Sequence, residues 1–138
     1  MQKVYTAEVT ATGGRRGRIV SSDGVLDMNL SLPEGLGGEQ GKTNPEQLFA
    51  AGYAACFQSA LLLVAGKHHE RLDPASTVKA HVDLLKSEEG AYALGVKMTI
   101  ELKGIDKEKA QLLIDEAHEV CPYSVGTRGN INVEFDVM

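Results

Sequence analysis

With 138 residues, 43% hydrophobic and 24% charged, the chain has the size and composition of one globular domain, spanning 1–138, with a real core. A net charge of −5, with Arg15, Arg16 and Arg18 as the only basic cluster, excludes a phosphate-tracking surface, so nucleic acid is not an expected partner. The opening run Met1-Gln2-Lys3-Val4-Tyr5 lacks the apolar core of a secretory signal, so a cytoplasmic location with two reduced cysteines is expected.

Five segments alternate with period two, and a sixth short strand joins them. Tyr5, Ala7, Val9 and Ala11 face one way while Glu8 and Thr10 face the other. A short strand near Arg18 to Ser22 pairs with its neighbours through Gly13-Gly14 and Asp23-Gly24 turns. Next, Leu26, Met28, Leu30 and Leu32 alternate with Asp27, Asn29 and Ser31. The Gly-rich loop between Pro33 and Thr43 matches no phosphate-binding pattern: it ends in Gly41-Lys42-Thr43, but Leu36 stands where that pattern needs its first glycine. It reads as a mobile flap or a dimer contact.

A helix then opens with Asn44 as N-cap, Pro45 at its first position and Gln47 three residues after the cap, and runs to about Gly66. The stretch from Gln47 to Gly66 carries no charge and approaches the length of a membrane span. Gln47, Gln58 and Ser59 interrupt it, so a central buried helix is the better reading and no membrane partner is expected. Being apolar nearly all round, this helix needs cover on both sides. One small sheet cannot supply that, so a homodimer is expected.

Two more alternating strands follow, Val78 to Leu84 and Leu94 to Leu102. A second helix, capped by Asp106, carries Ala110, Leu113, Ile114, Ala117, Val120 and Cys121 on one stripe and stops at Pro122. A last strand alternates from Ile131 to Val137. The order β-β-β-α-β-β-α-β describes an α+β fold: one mostly antiparallel sheet, with helices on its dry face and a long buried central helix.

Few residues stand out chemically. Cys56 lies mid-helix between Gly52 and Ala60, where a dry surrounding raises a thiol pKa unless a cation sits beside it. Cys121 ends the second helix, where the helix dipole disfavours a thiolate and suits a protonated thiol. Both lie on core-facing stripes and can approach each other, yet spacing alone favours two structural core cysteines. His68 and His69 point apart at a helix end with no ligand at metal spacing, and read as capping or exposed side chains.

Taken together, several motifs resemble a known family. They are Thr10-Ala11-Thr12-Gly13-Gly14-Arg15, the run Thr43 to Tyr53 (TNPEQLFAAGY), Ala55-Cys56-Phe57, and Val120-Cys121-Pro122-Tyr123-Ser124 followed by Thr127-Arg128-Gly129-Asn130. In this order, and over nearly the whole chain, they resemble the organic hydroperoxide resistance proteins of the superfamily shared with the osmotically inducible OsmC proteins. The resemblance implies an OsmC-like fold and an intertwined homodimer. It implies a cytoplasmic stress-response peroxidase with Cys56 as the attacking thiol, Cys121 as the resolving one, Arg15 as the activating cation and Glu46 as its partner. Alkyl or fatty-acid hydroperoxides are the implied substrates, received in an apolar pocket near Leu36, Phe49 and Phe57. No bound cofactor or metal is implied; dihydrolipoamide or a lipoylated protein serves as external reductant.

Arg16 departs from the pattern, adding a cation that competes for Glu46 or attracts anionic substrates. Glu46 and Cys56 are ten residues apart, about 15 Å along one straight helix, so a shared arginine is expected to reach across subunits. Two other readings stay open: an OsmC-type peroxidase with a different substrate preference, and a non-catalytic dimer that binds a small apolar ligand.

Overall fold

The N-terminal alternation forms a three-stranded antiparallel sheet in the computed structural model, which describes residues 1–138. Its strands are β1 (Val9–Thr12), β2 (Arg18–Ser21) and β3 (Asp27–Asn29). Ala11 opposes Ile19, which opposes Met28, so these apolar side chains share one face. Thr12, Arg18 and Asn29 share the other. Pairing begins at Val9 rather than at Tyr5, because β2 has only four residues to pair with; Tyr5 stays exposed. Between β1 and β2, Gly13 and Gly14 take left-handed backbone (φ 81° and 59°) and lead into a 3-10 turn over Gly14–Arg16.

The chain divides into two compact units, Met1–Leu48 and Phe49–Met138. Helix α1 (Pro45–Lys67) begins in the first and supplies most of its length to the second. Asn44 caps it as expected, its Oδ1 accepting from the Gln47 N–H at 2.8 Å.

In the second unit β4 (Thr77–Lys86) and β5 (Tyr92–Glu101) form a ten-residue antiparallel ladder. Helix α2 (Lys107–Val120) follows, capped by the Asp106 carboxylate, which accepts from the Lys109 N–H at 2.9 Å. A short helix α3 (Pro122–Thr127) and strand β6 (Val133–Val137) complete it, β6 lying parallel to β5. The expected single sheet is thus two sheets of three strands, with one parallel pairing among three antiparallel ones. Pro122 does stop α2, and it also starts α3, since its fixed φ suits a first helical position.

The core of this unit joins three stripes: Tyr53, Phe57, Leu61 and Val64 of α1; Val96, Met98 and Ile100 of β5; Leu113, Ile114 and Ala117 of α2. Each large side chain buried there contributes about 1.5–3 kcal/mol. By length and composition α1 could cross a bilayer. Its stripe from Tyr53 to Ala65 instead forms the centre of this core. The opposite stripe of α1, with Ala51, Ala55, Ser59, Leu62, Leu63 and Gly66, is exposed on the single chain.

Candidate active site

The first unit builds an ion pair. The 3-10 turn presents Arg15, and the first turn of α1 presents Glu46 just after the cap. Arg15 Nη1 donates to Glu46 Oε2 at 2.9 Å and Nη2 donates to Oε1 at 2.6 Å, a bidentate fork. The guanidinium holds the Glu46 carboxyl below its usual value, chiefly by these hydrogen bonds and against a smaller opposing effect of burial. The turn tolerates no bulk: a Cβ at Gly17 would fall 1.7 Å from the Thr12 carbonyl oxygen. Arg16 is exposed, and both carboxylate oxygens of Glu46 are bonded by Arg15.

The second unit builds a thiol pair. Cys56, half-buried on α1, and Cys121, fully buried between α2 and α3, bring their sulfurs to 3.7 Å, with the Cys121 thiol donating to Cys56 Sγ. Cys121 is flanked by the C-terminus of α2 and the N-terminus of α3. Burial pushes the Cys56 thiol above the ordinary cysteine value, and the neighbouring Cys121 adds to the push. The backbone N–H of Tyr123 offsets part of it. Within this unit the nearest chemical partner of Cys56 is the Cys121 thiol.

The expected pocket residues fall in different environments. Leu36, in a 3-10 turn over Glu34–Leu36, is 63% exposed. Phe49 is partly buried and meets the rings of Tyr53 and Tyr123 edge-on. Phe57 is 0% exposed and packs against Phe135 and Tyr53 in the core of the second unit. His68 pairs through Nε2 with the Glu116 carboxylate at 2.9 Å, tying the end of α1 to α2, while His69 takes left-handed backbone (φ 58°).

Sequence reasoning missed the residues behind the thiols. The Tyr53 hydroxyl meets Ser124 Oγ at 2.8 Å and Thr127 Oγ1 at 3.4 Å, wholly inside the fold. Gly52 gives Tyr123 its seat, since a Cβ there would lie 2.5 Å from the Tyr123 hydroxyl oxygen. Only the pairing of small Gly52 with the nearby cysteine hinted at a close approach.

The family model described as OsmC-like protein matches residues 37–136. Organic hydroperoxide resistance protein OhrB of Bacillus subtilis is 48% identical over 135 residues, covering 97% of this chain and 98% of its own length. The organic hydroperoxide resistance protein of Xanthomonas axonopodis pv. citri is 50% identical over 131 residues, 94% of this chain and 92% of the relative. The crystal structure of OhrB of Bacillus subtilis superposes with a TM-score of 0.90 at 47% identity, covering 99% of this chain and 100% of that one.

Proposed function

The chain belongs to the OsmC-like family, among the organic hydroperoxide resistance proteins, and from that premise we propose that it is a thiol peroxidase that reduces organic hydroperoxides to alcohols. The observation that carries the reading is the 3.7 Å approach of Cys56 on α1 and Cys121 at the α2–α3 junction, two thiols 65 residues apart in sequence.

The Cys56 thiolate attacks the terminal oxygen of the O–O bond. That bond breaks, sulfur gives up two electrons and becomes a sulfenic acid, and the alkoxide takes a proton to leave as the alcohol. Cys121 then attacks the sulfenic sulfur. The S–O bond breaks, a disulfide forms, and the hydroxyl leaves as water with the thiol proton. Dihydrolipoamide or a lipoylated protein returns the pair to thiols by exchange.

A buried thiol needs a cation to ionise near neutral pH, and the Arg15 fork, oriented by Glu46, supplies it. In an intertwined homodimer, Arg15 and Glu46 of one subunit complete the site around Cys56 of the other. Two observations support this: α1 carries Glu46 and Cys56 ten residues apart, about 15 Å along its axis, and its stripe from Ala51 to Gly66 offers an uncovered apolar face to a second copy. Leu36 and Phe49 favour alkyl or fatty-acid hydroperoxides over hydrogen peroxide, and the cytoplasm keeps the thiols reduced between turnovers.

Counting free thiols before and after one equivalent of cumene hydroperoxide tests the reading. Loss of both thiols with a Cys56–Cys121 disulfide and one cumyl alcohol supports it. Unchanged thiols overturn it in favour of a non-catalytic protein that binds a small apolar ligand.

A further inference from the structure

We propose that Tyr53 is a positioning residue for the resolving step: its buried hydroxyl docks α3 on α1 and thereby holds Cys121 against Cys56. The proposal rests on the reading of these cysteines as attacking and resolving thiols.

Helix α3 has six residues, too few to hold its place without tertiary contacts. Its fully buried side chains are Ser124 and Thr127, both hydroxyls, while the half-exposed Tyr123 ring adds packing against Phe49 and Tyr53. What meets the two hydroxyls is the hydroxyl of Tyr53, at 2.8 Å from Ser124 Oγ and 3.4 Å from Thr127 Oγ1. Tyr53 and Ser124 are both 0% exposed, so no solvent competes for this bond. A phenylalanine would fill the same core space; only the hydroxyl reaches the partner.

Position links this bond to the sulfurs. Tyr53 stands one helical turn before Cys56, and Ser124 stands three residues after Cys121. The bond therefore joins the two turns that carry the thiols. Freeing α3 loosens the resolving thiol.

The consequence is a choice between two fates. The Cys56 sulfenic acid either condenses with the Cys121 thiol, giving the disulfide and water, or meets a second hydroperoxide. In the second case its sulfur takes another oxygen and becomes a sulfinic acid, the peroxide leaves as alcohol, and the thiol is not recovered by exchange. A Cys121 that wanders favours the second fate.

The test uses the reduced full-length protein and cumene hydroperoxide, with intact mass separating disulfide from sulfinic acid. In Tyr53→Phe, the first loss of the Cys56 thiol is expected at the wild-type rate. Disulfide formation is expected to slow by about tenfold, the factor that matches one net hydrogen bond. The sulfinic share under excess peroxide rises accordingly. Ser124→Ala, which leaves the aromatic core untouched, is expected to do the same, and the double variant no more than either single one, because both remove one bond.

A purely structural role is distinguished by stability. Removing both partners is expected to recover much of the melting temperature lost by one removal, while the disulfide step stays slow. The proposal is overturned if both single variants form the disulfide as fast as the wild type, or if the double variant recovers rate along with stability. A wild-type protein that forms no Cys56–Cys121 disulfide would instead overturn the peroxidase reading beneath it.

Discussion

Arg15 grips Glu46 through two hydrogen bonds of 2.9 and 2.6 Å across a sequence gap of 31 residues. A glycine turn sets one end of the pair and a capped helix start sets the other, so the plane of the guanidinium is fixed by backbone on both sides. Glu46→Gln keeps the shape but loses the charge-assisted fork. Cys56 oxidation by cumene hydroperoxide, followed by stopped flow, is expected to slow about 10- to 100-fold, the range that one charged hydrogen bond commands.

The same pair predicts a pH dependence of stability. Arg15 lowers the Glu46 pKa on folding, so the unfolded chain binds this proton more readily than the folded one. The contribution is therefore complete above the ordinary glutamate value of about 4.3 and is lost as pH falls through the lower folded value. The stability difference between wild type and Glu46→Gln, measured by denaturant unfolding, should be constant near neutrality and shrink on acidification.

Gly52 is held by packing and not by conformation. A Cβ would meet the Tyr123 hydroxyl oxygen at 2.5 Å and Cζ at 3.1 Å, and that ring already packs on Phe49 and Tyr53. Gly52→Ala is expected to cost about 1–3 kcal/mol by overpacking. Gly126→Ala, where nothing lies within 4 Å of the added methyl, should be tolerated. Thermal unfolding of the two variants provides the comparison.

Leu61 sits at 0% exposure in the core of the second unit. Leu61→Ala is expected to cost about 2–5 kcal/mol, the transfer of the side chain plus the cavity left behind. Denaturant titration, with the slope checked against wild type, measures it.

Legibility followed the range of the interaction. The cap of α1 was readable because Asn44, Pro45 and Gln47 act within one turn. The β4–β5 ladder was readable because each strand carries its own alternation. Helix α3 was not, since Pro122 reads as a stop and six residues leave almost no periodicity. Nor was the parallel partner of β6, because alternation shows which side chains are dry and not which strand lies alongside. The Arg15–Glu46 fork came from the family resemblance alone, as nothing in their spacing joins them. The Tyr53–Ser124 bond had no signal: a tyrosine on an apolar stripe looks like core until its hydroxyl's partner is seen.

The most direct test of the whole account is the pH at which Cys56 loses its proton, read from thiolate absorbance in Cys121→Ser, with and without Arg15→Ala. A value below the ordinary cysteine pKa of about 8.5 in the Arg15 protein, moving above it when the guanidinium is removed, is expected. A Cys56 that titrates above about 8.5 with Arg15 present, or at the same pH in both proteins, contradicts activation by that arginine.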